Sequence, residues 1–455
     1  MFMQARPPTW HREPIRAGYK AAPRTVLVTG ATGFIGRQLC RRLIGDGDRI
    51  IVLSRDRERA LDLFGPHARI VTALGEIVAS ERIDVIVNLA GAPILALPWT
   101  EARRAALLES RLGTTNRIVE LIARLEHKPR VLISASAIGY YGVRGEEEIT
   151  EASRGQPIFQ SHLCQAWEVA AQGAEQYGVR VCRLRFGLVF GSQGGALPGL
   201  ARPARMHVRV LLGSARQWMS WVHLEDLLRL VCFCIDNDEM QGGINVTAPR
   251  PVRQHEFASA LAACFGASLP LRVPAAMLRA GLGEMSQLLL QGQKVLPTKA
   301  LCRGFEFHFP SLQIALRDLL MDEQQRTAPS EIMYDPTCRI CEAEMAMYRG
   351  QAQRCGQRWR FNDVADRPDL MRRYGLDTTT ARKRVYVLDD SGRMVSGLRA
   401  MTLIWAALPQ WRLLALVLRL PGVRESSDLF YDYVLAPVIW RISQRQRDKA
   451  ATRYS

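Results

Sequence analysis

Apolar and polar positions along the chain alternate between two periods. From Thr25 to Val28 the run is apolar; Gly30, Gly33 and Gly36 follow, and Ile35, Leu39 and Leu43 then recur at helical spacing. This predicts a strand, a glycine turn and a helix. RIIVLSR at 49–55 reads as the next strand, and IDVIVNLAGAP at 83–93 as a strand running into a small-residue turn. A helix near Thr100 to Leu125 comes next, then the strand and loop of PRVLISASAIGYYG at 129–142, a helix near Gln160 to Tyr177, and VRVCRLRFGLVFG at 179–191. Strands separated by helical segments predict an α/β domain with a parallel, doubly wound sheet.

The pattern restarts after the polar stretch MDEQQRTAPS at 321–330. A short strand ends at Tyr334. Asp335 is expected as a helix N-cap with Pro336 at the first helical position, and Gly350 as the stop. KRVYVL at 383–388 reads as a strand that turns through Asp390, Ser391 and Gly392.

The glycine turn carries the first chemistry. Gly30 permits a tight turn, Gly33 permits backbone N–H groups to approach a pyrophosphate, and Gly36 permits the helix to pack closely on the strand; the helix N-terminus favours the anion. Backbone from Gly30, Thr32, Gly33, Phe34, Ile35 and Gly36 is therefore expected to hold a dinucleotide, with Leu89, Ala90 and Gly91 lining the groove at the carboxyl ends of the strands. Where NAD would need an acidic residue for its ribose hydroxyls, the second strand ends in Ser54 and Arg55, with Asp56 one place further. A cation there suits the 2′-phosphate of NADP(H), and Arg37 is a second candidate for the same charge.

The spacing TGATGFIG resembles the extended short-chain dehydrogenase/epimerase superfamily. Together with LVFGSQGGALPGL, GSARQWMSWVHLEDLLRL, INVTAPRPV and the segment from Val273 to Leu320, it resembles one epimerase-like group that carries its own C-terminal domain of unknown function. The resemblance implies a Rossmann-like domain at 24–246, a small subdomain at 247–322, NADP-type cofactor binding and an oxidoreductase or epimerase acting on an unknown small molecule. It places Gln160 where the superfamily has its acid/base Tyr, Cys164 where it has the assisting Lys, and Ser136 at the assisting hydroxyl. Gln has no titratable proton and a neutral thiol supplies no charge, so Ser136 and Tyr140 are left as catalytic candidates, with Tyr141, His162 and Glu168 nearby. The Gly194–Gly195 loop and the segment 217–221 are expected as pocket walls, where Trp218 and Trp221 could stack on a flat ligand; His223 and Asp226 are expected to start a helix. A different kind of function, a catalytically silent NADP(H) sensor or scaffold, is the alternative.

Cys338 and Cys341 fall one helical turn apart at a helix start, where free N–H groups favour thiolate and a dithiol could cycle with a disulfide. A structural zinc site needs four ligands; only Cys355 follows, and no His comes after His308, so no metal is expected. Tyr334–Cys341, with KRVYVL and RAMTLIWAALPQWRLLALVLRLPGV, resembles the DCC family of thiol-disulfide oxidoreductases. That resemblance implies a thioredoxin-like α/β domain at 332–446, joined by a linker at 323–331, and a protein thiol partner. Residues 1–23 and 447–455 are expected as tails.

Composition trims the alternatives. Of 455 residues 48% are apolar and 23% charged, which excludes a collagenous or wholly disordered chain. The net charge of +17 is spread along the chain and only six of 61 basic residues are Lys, so nucleic acid is not expected as a partner. No stretch of 18 uncharged apolar residues exists and the first twenty residues have no apolar core, so neither stable membrane insertion nor secretion is expected and the location is read as cytoplasmic.

Overall fold

A computed structural model describes residues 23–94, 99–326, 329–354, 359–366, 384–389 and 394–418, with single positions 423, 426, 427, 431 and 437. The expected N-terminal tail, the Asp390–Gly392 turn, Cys355 and the tail 447–455 lie, wholly or all but Pro23, outside the described residues. The chain divides into two compact units, residues 1–316 and 317–455.

In the first unit the strands that build or border the site are β1 (Thr25–Thr29), β2 (Arg49–Leu53), β3 (Ala68–Val71), β4 (Val85–Asn88), β5 (Val131–Ala137), β6 (Arg180–Phe186), β7 (Leu188–Gly191), β8 (Gly194–Gly195), β9 (Trp221–His223) and β10 (Gly242–Val246). Seven of these form one parallel sheet in the order β10-β6-β5-β4-β1-β2-β3. The helices that position the site are α1 (Phe34–Gly45), α2 (Arg57–Phe64), α3 (Glu101–Arg124), α4 (Phe159–Gln172) and α5 (Leu224–Asp236). Alternate residues of β1 serve opposite faces. Val26 and Val28 pack with Leu39 and Leu43 of α1 and Leu227 and Val231 of α5, whereas Leu27 packs with Ile118, Leu121 and Ile122 of α3. A strand covered on both sides needs a continuous apolar run, which is why Thr25–Val28 stands out in the sequence. The strand order reverses between β1 and β4, so the carboxyl ends of these two strands open the crevice in which such sheets bind ligands.

In the second unit β11 (Pro329–Tyr334) lies parallel to β12 (Arg360–Asp363) and antiparallel to β13 (Tyr386–Asp389), which pairs with β14 (Met394–Ser396). The order β12-β11-β13-β14, with α6 (Arg339–Arg354) after β11 and α7 (Leu398–Ala407) after β14, gives the expected α/β domain of thioredoxin-like topology. Ile332, Tyr334, Met345, Tyr348, Val387 and Ile404 form its core.

Three local expectations are corrected. The linker 323–331 is shortened from both sides, since one helix runs to Arg326 and β11 begins at Pro329. Helix α6 begins at Arg339, not at Pro336, because Asp335 caps a turn that precedes the helix: its Oδ1 accepts the Thr337 amide at 3.0 Å and its carbonyl accepts the Cys338 amide at 3.2 Å. It also runs through Gly350 to Arg354, since a single glycine costs a helix only about 1 kcal/mol.

Candidate functional site

The glycine turn after β1 is shaped by close approaches. Gly30 has φ +68°, and a Cβ there would lie 2.6 Å from the Leu89 carbonyl oxygen and 2.9 Å from the Ala90 nitrogen. A Cβ on Gly36 would lie 2.3 Å from the Gly30 carbonyl oxygen. The turn, α1 and the end of β4 thus close on one another only because these positions lack side chains. Gly33 is exposed and is the N-cap of α1, with no side-chain cap and no acidic residue in the first turn. Its own amide is not free for a ligand as the spacing suggested: it donates to the Gly30 carbonyl at 3.0 Å. The amides of Phe34, Ile35 and Gly36 are those an α-helix leaves without intrahelical acceptors, with Thr32 half-buried beside them.

The Phe34 side chain does more than the pattern indicated. Its ring lies against Gly191, Gly194 and Gly195, so that a Cβ on any of the three would come within 2.9 Å of it. This brings the expected Gly194–Gly195 wall to the glycine turn. At the end of β2, Arg55 is exposed and makes no hydrogen bond or ion pair with a described residue, while Asp56 caps α2 by accepting the Arg59 amide at 3.0 Å. The Arg37 side chain is half-buried and its Nε has no partner among the described residues.

A buried polar chain ties the floor of the crevice together. Thr29 Oγ1 donates to Asn88 Oδ1 at 2.7 Å, the Asn88 amide donates to Thr115 Oγ1 at 2.9 Å, and Trp167 Nε1 donates to the same oxygen at 3.1 Å. Beta-strands β1 and β4 and helices α3 and α4 are thereby held at fixed spacing. Asn88 and Thr115 were not singled out from the sequence; the polar residue inside the apolar run VIVN was the available signal.

Gln160 and Cys164 share one face of α4 and both face Gly139, from whose Cβ position they would stand 3.6 and 3.7 Å away. Both are buried, and burial pushes the Cys164 thiol up to about 12, so it stays protonated. Ser136 is buried and donates to Glu168 Oε1 at 2.8 Å. Arg185 holds the same carboxylate in a fork, Nε to Oε1 and Nη2 to Oε2, each 2.8 Å, and a third nitrogen donates to Tyr141 Oη at 2.8 Å. The Tyr141 hydroxyl donates to Asn245, and burial pushes it up to about 12. The Arg185 guanidinium carbon lies 3.5 Å from the centroid of the half-buried Tyr140 ring. Serine, ion pair and tyrosines are thus one assembly at the ends of β5 and β6.

One expected ligand contact is corrected. Trp221 is wholly buried, stacked on Phe190 with centroids 5.6 Å apart, and its Nε1 donates to the Arg250 carbonyl, so it is core. Trp218 has a face covered by Arg253, 3.8 Å from its ring centroid. His162 is exposed. His223 caps α5, and buried Asp226 accepts the His308 and Phe309 amides at 2.9 and 2.8 Å, the structural role expected of that helix start.

In the second unit Cys338 is buried at 3% exposure and immediately precedes α6, while Cys341 is half-buried in its first turn. Burial, together with its hydrogen bond to Cys338, raises the Cys341 thiol well above the usual range, so Cys341 holds a proton. Glu344, one turn on, accepts from Tyr348 at 2.8 Å, and burial raises its carboxyl.

Comparison with known proteins locates three regions. Residues 26–247 match the model of the NAD dependent epimerase/dehydratase family, 273–319 that of a domain of unknown function, DUF1731, and 332–436 that of the DCC1-like thiol-disulfide oxidoreductases. The epimerase family protein SERP0438 of Staphylococcus epidermidis is 39% identical over 299 residues, covering 65% of this chain and 98% of the relative. The epimerase family protein YfhF of Bacillus subtilis is 36% identical over 304 residues, covering 66% of this chain and 99% of its own. Among solved structures, the human epimerase family protein SDR39U1 (isoform 2), crystallised with NADPH, is 30% identical with a TM-score of 0.59 over 66% of this chain and 99% of that one. The UDP-glucose 4-epimerase of Thermotoga maritima, 17% identical with a TM-score of 0.54, covers 66% of this chain and 99% of its own and shares the fold.

Proposed function

The chain belongs to the epimerase family, with a DCC1-like thiol-disulfide oxidoreductase domain following, and on that premise we propose that its first unit is an NADP(H)-dependent oxidoreductase. The observation that carries this reading is the pairing of an uncapped helix N-terminus at Gly33 with a cationic strand end at Arg55. The turn fits the group: Gly30 and Gly36 let β1, α1 and the end of β4 close so that the uncapped start of α1 stands at the crevice, and Arg37 Nε is a buried donor awaiting an acceptor. The amides of Phe34, Ile35 and Gly36 would hold the pyrophosphate, Arg55 and Arg37 the 2′-phosphate, and Leu89 to Gly91 the floor beneath it. NADPH-bound SDR39U1 supports the choice of cofactor.

Bound there, NADP(H) supplies hydride transfer. This chain supplies orientation and a proton. Tyr140 Oη is the group proposed to hold the proton for the reacting oxygen, its ring fixed by Arg185, while Ser136 is held by Glu168. The missing Tyr/Lys couple also suits the sensor reading, because the Cys164 thiol remains uncharged; that reading requires binding without turnover.

For the second unit we propose dithiol–disulfide exchange with a protein disulfide. The Cys338 sulfur attacks one partner sulfur, breaking the partner S–S bond; Cys341 then loses its proton and attacks Cys338, and two electrons and two protons pass to the partner as two thiols.

Calorimetric titration of the full chain with NADPH and with NADH tests the first proposal. NADPH should bind at least about tenfold more tightly, and Arg55→Ala should remove that preference. Equal affinities in the native protein would end the NADP(H) assignment.

A further inference from the structure

We infer that Arg111 is the counter-charge for the nicotinamide-mononucleotide half of the bound dinucleotide, a role that rests on the NADP(H) reading above. Arg111 projects from α3 and is buried, with 9% of its surface exposed. Its Nη1 donates to the Leu107 carbonyl at 3.1 Å and to Ser110 Oγ at 3.4 Å, and its Nη2 to the Ala92 carbonyl at 3.0 Å. All three acceptors are neutral, and no described carboxylate pairs with it. Burial lowers its affinity for the proton, as expected of a cation held away from water without an anion. A buried charge normally has a partner, so the missing anion points to a ligand.

Its place in the fold says which part of the ligand. A Cβ on Gly91 would lie 3.4 Å from the guanidinium carbon, and Gly91 is exposed, so Arg111 lies directly under the crevice wall that follows β4. The other side of the guanidinium faces α4, 5.2 Å from the Trp167 ring centroid and within electrostatic reach of Cys164. The sheet order sets the direction. Beta-strands β2 and β4 flank β1 on opposite sides, so Arg55 stands at one end of the crevice and Arg111 at the other, with the glycine turn between them. A dinucleotide whose 2′-phosphate meets Arg55 and whose pyrophosphate lies on α1 must extend its remaining half over β4 toward Ser136 and Gln160. A guanidinium has five donors in a fixed fork, and those not spent on Leu107, Ser110 and Ala92 can donate to the ribose hydroxyls and phosphate of that half.

The test compares whole and half ligands on the full chain. Native protein, Arg111→Gln and Arg111→Lys are titrated calorimetrically with NADPH and with adenosine 2′,5′-bisphosphate, which lacks the nicotinamide half, and folding is followed by circular dichroism. Arg111→Gln should weaken NADPH about tenfold or more while leaving adenosine 2′,5′-bisphosphate within about twofold, and Arg111→Lys, which keeps the charge but not the fork, should weaken NADPH less than Arg111→Gln does. Retained binding of the half ligand also shows that the crevice has formed. Equal weakening of both ligands in either variant would assign Arg111 to holding the Gly91–Ala92 turn and overturn the inference, as would unchanged NADPH binding by Arg111→Gln. Native protein that binds neither ligand would fail the NADP(H) reading itself, an outcome distinct from these.

Discussion

Both units use the same local device, a buried strand that turns tightly into a helix, and they load it differently. After β1 the helix N-cap is Gly33, with no side-chain cap and no acid in the first turn, so no side chain of that turn supplies the amides of Phe34 to Gly36 with an anion. After β11 the turn carries its own anion: Asp335 accepts from the Thr337 amide and from Thr337 Oγ1 at 2.6 Å, and the residue entering the helix is Cys338. The first turn is built from what is missing, the second from what is attached. On the proposed reading glycine leaves room for an external phosphate; aspartate and cysteine fill the corresponding space with groups of the chain itself.

The comparison can be broken most completely at its reactive or its narrowest atoms. Cys338→Ser should abolish the two-electron wave in a dithiol redox titration of the full chain while NADPH binding stays intact; a surviving wave would remove the dithiol role. Gly30→Val should do the reverse, because its Cβ would meet the Leu89 oxygen at 2.6 Å and valine is strained at φ +68°. NADPH affinity should fall by more than about a hundredfold, with the Cys338–Cys341 titration unchanged.

A milder change sharpens the cofactor assignment. Arg55→Asp places an acceptor where ribose hydroxyls would sit and should move the preference by about tenfold or more from NADPH toward NADH, read by calorimetry. For the second turn, Asp335→Ala should cost about 1–2 kcal/mol in chemical unfolding of the second unit, since it removes a charged acceptor from two donors.

A pH dependence of the first unit tests its burial separately. Burial raises Cys40, Cys164 and Tyr141 to about 12, from ordinary values of 9.0 for the thiols and 10.0 for the phenol. Below pH 9 both folded and unfolded chains keep these protons and no stability is lost. Between about 9 and 12 the unfolded chain releases them first, so stability falls as pH rises. The melting temperature should decline across that window, and a flat profile would show that these groups reach water in the folded state.

The sequence by itself determined the periodic parts of this protein. Continuous apolar runs such as Thr25–Val28 are required wherever a strand is covered on both faces, and glycines at 30, 33 and 36 are required wherever backbone approaches backbone; both requirements can be read without coordinates. The CxxC between a strand and a helix was legible for the same reason, although Asp335 forms its own turn before α6 and Cys338 is more buried than a helix-start position suggested. Only the tertiary structure decided the contacts between distant segments. It set Phe34 against Gly191 and Gly194, Ser136 on Glu168 with Arg185, and Trp221 in the core, and it left Arg111 under Gly91 with no carboxylate partner among the described residues. Such pairs are far apart in sequence and obey no period, so a charge's partner, or its lack of one, is settled by how the helices pack across the sheet.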